Sequence, residues 1–295
     1  TVVGHTTCFS QLCESLSGYQ PPYELHYART LALELERMAI HTGDLSALCT
    51  DIAYQLGSAV FGRLRTPLVN FMQEWCGNRL SKGLIRPGYC PYPFTSLLGD
   101  RLQDILSGFE RDFSEMATQL FKLSSALSRF ERTGVVSYDD ILSIGAVGMS
   151  ARMSGLERDV RKSHPYALYE ELQHQAILKN TGDVYARVKI RYDEILQSME
   201  YVRKLAGKVP SFTSTGIPDK PFRPSSFVLS MVEGWRGEIC HCAVTDGNGN
   251  PVHYKIKDPS FHNWLALALA VRKNEISDFP VCNKSFNLSY SGFDL

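Results

Sequence analysis

Apolar residues recur at helical spacing in four long stretches of the chain. The segment YELHYARTLALELERMAIHTGDLSALC follows a Pro21-Pro22 break and places Leu31, Leu35, Met38, Leu45 and Leu48 on one side of a helix. A second stretch, from about 51 to 77, carries Phe61, Leu64, Leu68, Phe71 and Trp75. A third runs from about 97 to 129, and a charge-rich fourth from 182 to 207. Between the second and third, LIRPGYCPYP is a loop by its proline and glycine content. The pattern then changes. Residues 209–227 are rich in Pro, Ser and Thr, whereas EICHCAVTDGNGNPVHYKIK alternates around Asp-Gly-Asn-Gly, which predicts a β-hairpin. FHNWLALALAVRKN predicts a short apolar helix.

These elements predict a mainly α fold: a helical bundle of about four long helices, with a small β-hairpin and a docked C-terminal tail. The expected division is a bundle over 1–208, an irregular connector over 209–230, and the hairpin, short helix and tail of the same domain over 231–295. The tail, FPVCNKSFNLSYSGFDL, is poor in charge and rich in aromatic and aliphatic residues, so residues 279–290 are expected to be buried.

Composition narrows the function. With 295 residues and 44% hydrophobic content the chain can bury a substantial core, and 31 basic residues balance 31 acidic ones. A neutral chain has no field to attract nucleic acid or an anionic membrane. The longest apolar run, WLALALAV, is far short of a membrane span, so no direct span is expected. Eight scattered cysteines with no C-x-x-C pair predict reduced thiols in a cytoplasmic compartment. Cys240 and Cys242 flank His241 on one strand and are read as packing residues. The chain starts at Thr1 in what reads as the middle of a structure, which predicts a trimmed or processed product.

Glu34, Arg37 and His41 share a helix face by their spacing. They form either a solvated face with one ion pair or a polar strip over a buried site, and periodicity does not choose. GAVGMSARMSGLERDVRKSHPY reads as an irregular segment whose glycines permit close approach and whose Arg152 and Arg161 supply fixed cations.

Taken in order with LELERMAIH, LIRPGY, GDVYARVKIRYDEI, EGWRGE and KIKDPSF, that segment closely resembles one family across nearly the whole chain. The family is the 49 kDa-type large subunit of complex I-like NADH:quinone oxidoreductases and of membrane-bound energy-converting nickel–iron hydrogenases. The resemblance implies a peripheral position on the cytoplasmic face of a membrane. Its partners would be an iron–sulfur small subunit and membrane subunits, in an assembly that uses iron–sulfur clusters and quinone or NAD(P)H. Hydrogenases of this family bind nickel and iron through a motif like C-G-I-C-x-x-x-H and a C-terminal D-P-C-x-x-C. In this chain the histidine corresponds to His5 and the second cysteine to Thr1, while the C-terminal pair corresponds to Ser289 and Gly292. The first ligand position falls before Thr1, as do the family's quinone-contacting histidine and tyrosine.

The expectation is therefore a nickel-free relative with vestigial ligand positions and no cofactor bound by this chain. The alternative is a catalytically silent scaffold. Arg236 corresponds to the arginine that overhangs the metal; otherwise it is a structural arginine paired with Glu233 or Glu238. His5 is expected to hydrogen-bond into the former metal cavity. His5, Glu34, Arg37, His41 and Arg236 are the candidate chamber residues, and Arg152, Asp159 and Arg161 the candidate partner contacts, against a solvated charge run as the alternative.

Overall fold

The structure, a computed structural model, describes residues 1–212, 216 and 221–295. It is mostly helical with one small sheet. The helices are α1 (Val2–Ser17), α2 (Tyr23–Asp51), α3 (Gln55–Cys76), α4 (Ser96–Leu120), α5 (Ser124–Phe130), α6 (Tyr138–Ile144), α7 (Met149–Arg152), α8 (Val160–Ser163) and α9 (Val184–Ala206). After the strands β1 (Phe227–Gly234), β2 (Gly237–Thr245) and β3 (Pro251–Lys257) come α10 (Pro259–Ala270), α11 (Phe279–Phe286) and α12 (Tyr290–Phe293).

Helix ends follow local chemistry. Asp183 caps α9 by accepting from the Ala186 N–H at 2.9 Å, and Asp258 caps α10 by accepting from the Ser260 N–H at 2.8 Å. Helices α1 and α3 stop at Gly18 and Gly77, both left-handed, a conformation that costs glycine nothing. Helix α2 is the hub. It packs on α3, α9, α11 and α1, and α4 closes across α3 and α9. The apolar faces read from the sequence meet here: Leu31, Leu35, Met38, Phe61, Leu68, Phe71 and Phe113 are all buried.

The sheet is antiparallel in the order β1-β2-β3 and rests on α1. Along β2, Gly237, Ile239, His241, Ala243 and Thr245 are buried, alternating with half-buried residues. The tight β1–β2 turn, with Gly234 opposite Gly237, is pinned by Gly148. A Cβ on Gly148, whose φ is +60°, would lie 2.1 Å from the Gly237 Cα, so backbone packs directly on backbone.

Several elements differ from the expectations. The 97–129 stretch is two helices, because residues 121–123 break the α4 ladder before α5. The N-terminal segment is the helix α1, which the sequence pattern leaves unassigned. The hairpin is a three-stranded sheet, since β1 begins within the segment read as connector; residues 213–215 and 217–220 of that connector lie outside the described residues. The 145–166 segment contains α7 and α8. Tail burial is partial. Val281, Cys282, Ser285, Phe286 and Leu288 are buried, whereas Phe279, on the outer face of α11, and Tyr290, at the start of α12, are exposed.

Candidate functional site

Two polar centres sit around the hub helix. The first is buried. Glu34, Arg37 and His41 on α2 face Glu194 and Ser198 on α9, and the 145–166 segment brings in Arg152, Asp159 and Arg161 from above. Arg161 grips Asp159 with two parallel bonds of 2.9 and 2.7 Å, and reaches Glu194 Oε1 at 2.8 Å and Glu34 Oε1 at 3.5 Å. Arg152 Nη1 donates to the same Glu194 oxygen at 3.0 Å. His41 Nε2 lies 2.8 Å from Glu194 Oε2. Tyr169 and Ser198 hydroxyls donate to the two Glu34 oxygens at 2.5 Å each. Arg37 Nη2 donates to the Glu233 carbonyl at 2.9 Å and Nη1 to the Gly234 carbonyl at 3.2 Å, tying α2 to the β1–β2 turn.

Charge balance fixes the protonation pattern. Burial alone would raise Glu34, Asp159 and Glu194, but the surrounding guanidiniums and hydrogen bonds outweigh it and hold all three below the usual carboxylate range. The same guanidiniums face a fourth carboxyl, Glu233. Burial and then the Asp159 carboxylate push it up to about 8 against the pull of Arg152 and Arg161. Its contacts are the Val160 N–H at 3.1 Å and Arg152 Nη2 at 3.6 Å. Burial lowers His41 and His174, so both rings stay neutral at physiological pH. His174 bridges Asp159 at 3.1 Å and the Tyr201 hydroxyl at 3.2 Å.

The second centre lies where the tail meets the turn. Arg236, stacked on Trp235 at 3.9 Å, donates from Nε to the Asn287 carbonyl at 2.5 Å and from Nη1 to Thr1 Oγ1 at 3.4 Å. Neither Glu233 nor Glu238 pairs with it: Glu238 takes Lys257 at 2.8 Å. Ser289 Oγ accepts from the Gly292 N–H at 3.0 Å, capping α12, and its own N–H goes to Ser260 Oγ. A Cβ on Gly292 would lie 2.7 Å from the Asp258 carboxyl carbon. His5 reaches Asp258 at 3.1 Å. Asn287 Nδ2 donates to Asp44 Oδ1 at 2.7 Å, and Asp44 Oδ2 accepts from Arg191 at 3.0 Å, which joins this centre to α2 and α9.

The predicted residues therefore sort into two groups. Glu34, Arg37, His41, Arg152, Asp159 and Arg161 share the buried network, while Thr1, His5, Arg236, Ser289 and Gly292 cluster where the tail meets the turn. The solvated readings of both charge runs are corrected: Arg152, Asp159 and Arg161 are buried among α2 and α9, and the exposed members of their segment are Glu157, Arg158, Lys162 and His164. Sequence reasoning missed Glu194, Ser198, Glu233 as a network member, Asp44 and Asp258. A signal existed for the α9 pair, since Arg187, Arg191, Glu194 and Ser198 recur at spacings of four, three and four. Among the described residues no group of three or more His, Cys, Asp or Glu side chains is arranged to hold a metal ion, and no helix is long and apolar enough to cross a membrane. All eight cysteines are free.

The fold is shared with a chain of the membrane-bound sulfane sulfur reductase, an archaeal respiratory membrane complex. The TM-score is 0.89, with 98% of this chain and 80% of that one covered at 23% identity. This is the class of mainly helical fold to which the architecture belongs. More narrowly, the chain belongs to the family of the respiratory-chain NADH dehydrogenase 49 kDa subunit, which residues 51–223 and 217–295 match. It is 27% identical over 285 residues to an NADH-quinone oxidoreductase subunit of Roseiflexus sp. (strain RS-1), covering 93% of this chain and 76% of that protein. It is also 27% identical to the carbon monoxide-induced hydrogenase of Rhodospirillum rubrum, covering 96% and 78%. Hydrogenase-4 component G of Escherichia coli (strain K12) is 26% identical over 98% of this chain, which spans about half of that longer relative, 49%.

Proposed function

We propose that the chain is a nickel-free large subunit of a complex I-like or hydrogenase-related membrane complex, lining a chamber beside an iron–sulfur cluster held by a small subunit. Family membership and the names of its relatives support the assembly. The observation that carries the nickel-free reading is the chemistry at the tail pocket. Gly292 offers no donor, and the Asp258 carboxyl occupies the space a Cβ there would need. Thr1 and Ser289 present neutral hydroxyls, poor ligands for a soft metal. Cys282 is buried, with its Sγ packed beside Gly134. The residues present do not fit a four-thiolate nickel–iron centre.

In this reading α2, α3, α4 and α9 form the helical bundle that carries the chamber. His5 and Arg236 are chamber walls, and Glu34, Arg37 and His41 form a rigid charged floor behind them. The partner contact moves from the buried Arg152, Asp159 and Arg161 to the exposed Glu157, Arg158, Lys162 and His164 on the same segment. Purification of the whole assembly from its native host under anaerobic conditions tests the reading. The expected preparation contains a cluster-bearing subunit and far less than one nickel per chain. One nickel per chain with hydrogen-dependent dye reduction overturns it.

A further inference from the structure

Apart from the ion-pair network, four side chains form an unbranched hydrogen-bonded line. The Tyr254 hydroxyl on β3 lies 2.7 Å from His241 Nδ1 on β2. His241 Nε2 lies 3.1 Å from His5 Nδ1 on α1, and His5 Nε2 lies 3.1 Å from Asp258 Oδ2 at the α10 cap. The line crosses a buried layer, since Tyr254 is 41% exposed and His241 only 2%. The strand register makes this possible. His241 pairs with Ile256 and Ala243 with Tyr254, so His241 and Tyr254 are diagonal neighbours, and His241 is on the β2 face turned to α1.

Donor and acceptor rules order the protons along this line. An ionised carboxylate can only accept, so His5 carries its proton on Nε2. With a neutral His5 ring, its Nδ1 accepts from His241 Nε2–H, and His241 Nδ1 accepts from the Tyr254 O–H. The surroundings of Asp258, His241 and Tyr254 favour that order. Burial would raise Asp258, but hydrogen bonds from His5 and Ser260 and the nearby Arg236 bring it down to about 2. Burial and the facing His5 ring push His241 down to about 4. Burial, with Cys8 and Cys13 of α1 and Cys242 of β2 adding to it, pushes Tyr254 up to about 12. Every donor points towards Asp258.

We propose that Tyr254, His241, His5 and Asp258 are a proton relay between the outer surface of the sheet and the tail pocket at Asp258 and Arg236. A proton from hydronium joins the Tyr254 oxygen, releasing water, as the tyrosine's own proton passes to His241 Nδ1. His241 passes its Nε2 proton to His5 Nδ1, and His5 passes its Nε2 proton to Asp258. One proton has moved inwards, Asp258 is neutral, no electrons have moved, and both rings are left as Nδ1–H tautomers. The same contacts run in reverse to return the proton to the surface, which restores the Asp258 carboxylate and both Nε2–H tautomers. This inference does not depend on the assembly proposed above, because it uses contacts within this chain alone.

The test uses the full chain with isotope-labelled histidines. Long-range proton–nitrogen correlations at pH 7 are expected to show both His5 and His241 protonated on Nε2 and bare on Nδ1. Tyr254→Phe keeps the ring at a half-exposed position and removes the entry hydroxyl. It is expected to leave the melting temperature unchanged while slowing exchange of the His241 Nε2 proton with water at least tenfold. His5→Gln cuts the inner end and is expected to leave that exchange within threefold of wild type, since the Tyr254 route remains. A His241 found protonated on Nδ1, or an exchange rate indifferent to Tyr254→Phe, reduces the line to a packing contact and overturns the relay.

Discussion

Arg37 on α2 donates to the main-chain carbonyl of Glu233 at 2.9 Å, so a charged side chain of the buried network holds the backbone of the turn that also carries Arg236. A hydrogen bond from a charged donor is among the stronger ones. This one fixes the distance between the two polar centres.

Glu233 makes stability depend on pH in an unusual direction for a carboxylate. Its pKa is raised from 4.5 to about 8, so the folded chain keeps a proton that the unfolded chain releases. Its contribution is present below about pH 4.5 and is lost as pH rises towards 8, to the extent of a few kcal/mol at order-of-magnitude level. Denaturant titrations at pH 5, 7 and 9 are expected to show wild type losing stability relative to Glu233→Gln across that window. Parallel pH profiles would sink the assignment.

Glu194 accepts from Arg152, Arg161 and His41 at once. Glu194→Ala leaves buried guanidiniums short of a counter-charge and is expected to cost roughly 3–5 kcal/mol in urea denaturation. A loss under about 1 kcal/mol would show that the network is hydrated in solution.

Gly148→Ala forces a Cβ into the Gly237 backbone at positive φ and is expected to destabilise by roughly 2 kcal/mol or more. Gly108→Ala, within α4 with nothing within 4 Å of the added Cβ, is expected to stabilise by about 0.5–1 kcal/mol. Calorimetry on the pair reads both signs together.

The tail separates into anchored and free positions. Phe286 is buried and lies 4.2 Å from the Arg187 guanidinium, itself held by Ser285 and the Gly134 carbonyl. Phe286→Ala is expected to cost about 3–5 kcal/mol, and Tyr290→Ala, at an exposed position, less than about 1 kcal/mol. Equal losses from the two would mean that α11 does not dock as described.

Much of the helical fold was legible because α2, α3, α4 and α9 carry long runs of one period, and the Asp-Gly-Asn-Gly turn marked β2 and β3. Helix α1 was not, because its buried side mixes Val3, Leu12 and Leu16 with Thr7, Cys8, Ser10 and Cys13, and the small and polar members interrupt the apolar period. Strand β1 merges into a Pro- and Ser-rich stretch that hides its start. At the site, spacing put Glu34, Arg37 and His41 on one face but could not say what met that face. Glu194, Arg152 and Arg161 reach it only through tertiary packing, and the sequence pattern pointed Arg152 and Arg161 towards a partner subunit instead. The tail pocket was legible through resemblance alone, since no local pattern joins Thr1 to Ser289.

At the Gly148–Gly237 contact no side chain stands between the two backbones. Side chains cushion motion by changing rotamer, and here there are none to do so. The two glycines therefore set how closely residue 148 sits on the turn that carries Arg236, and a side chain at either position would prise the segment away from that turn.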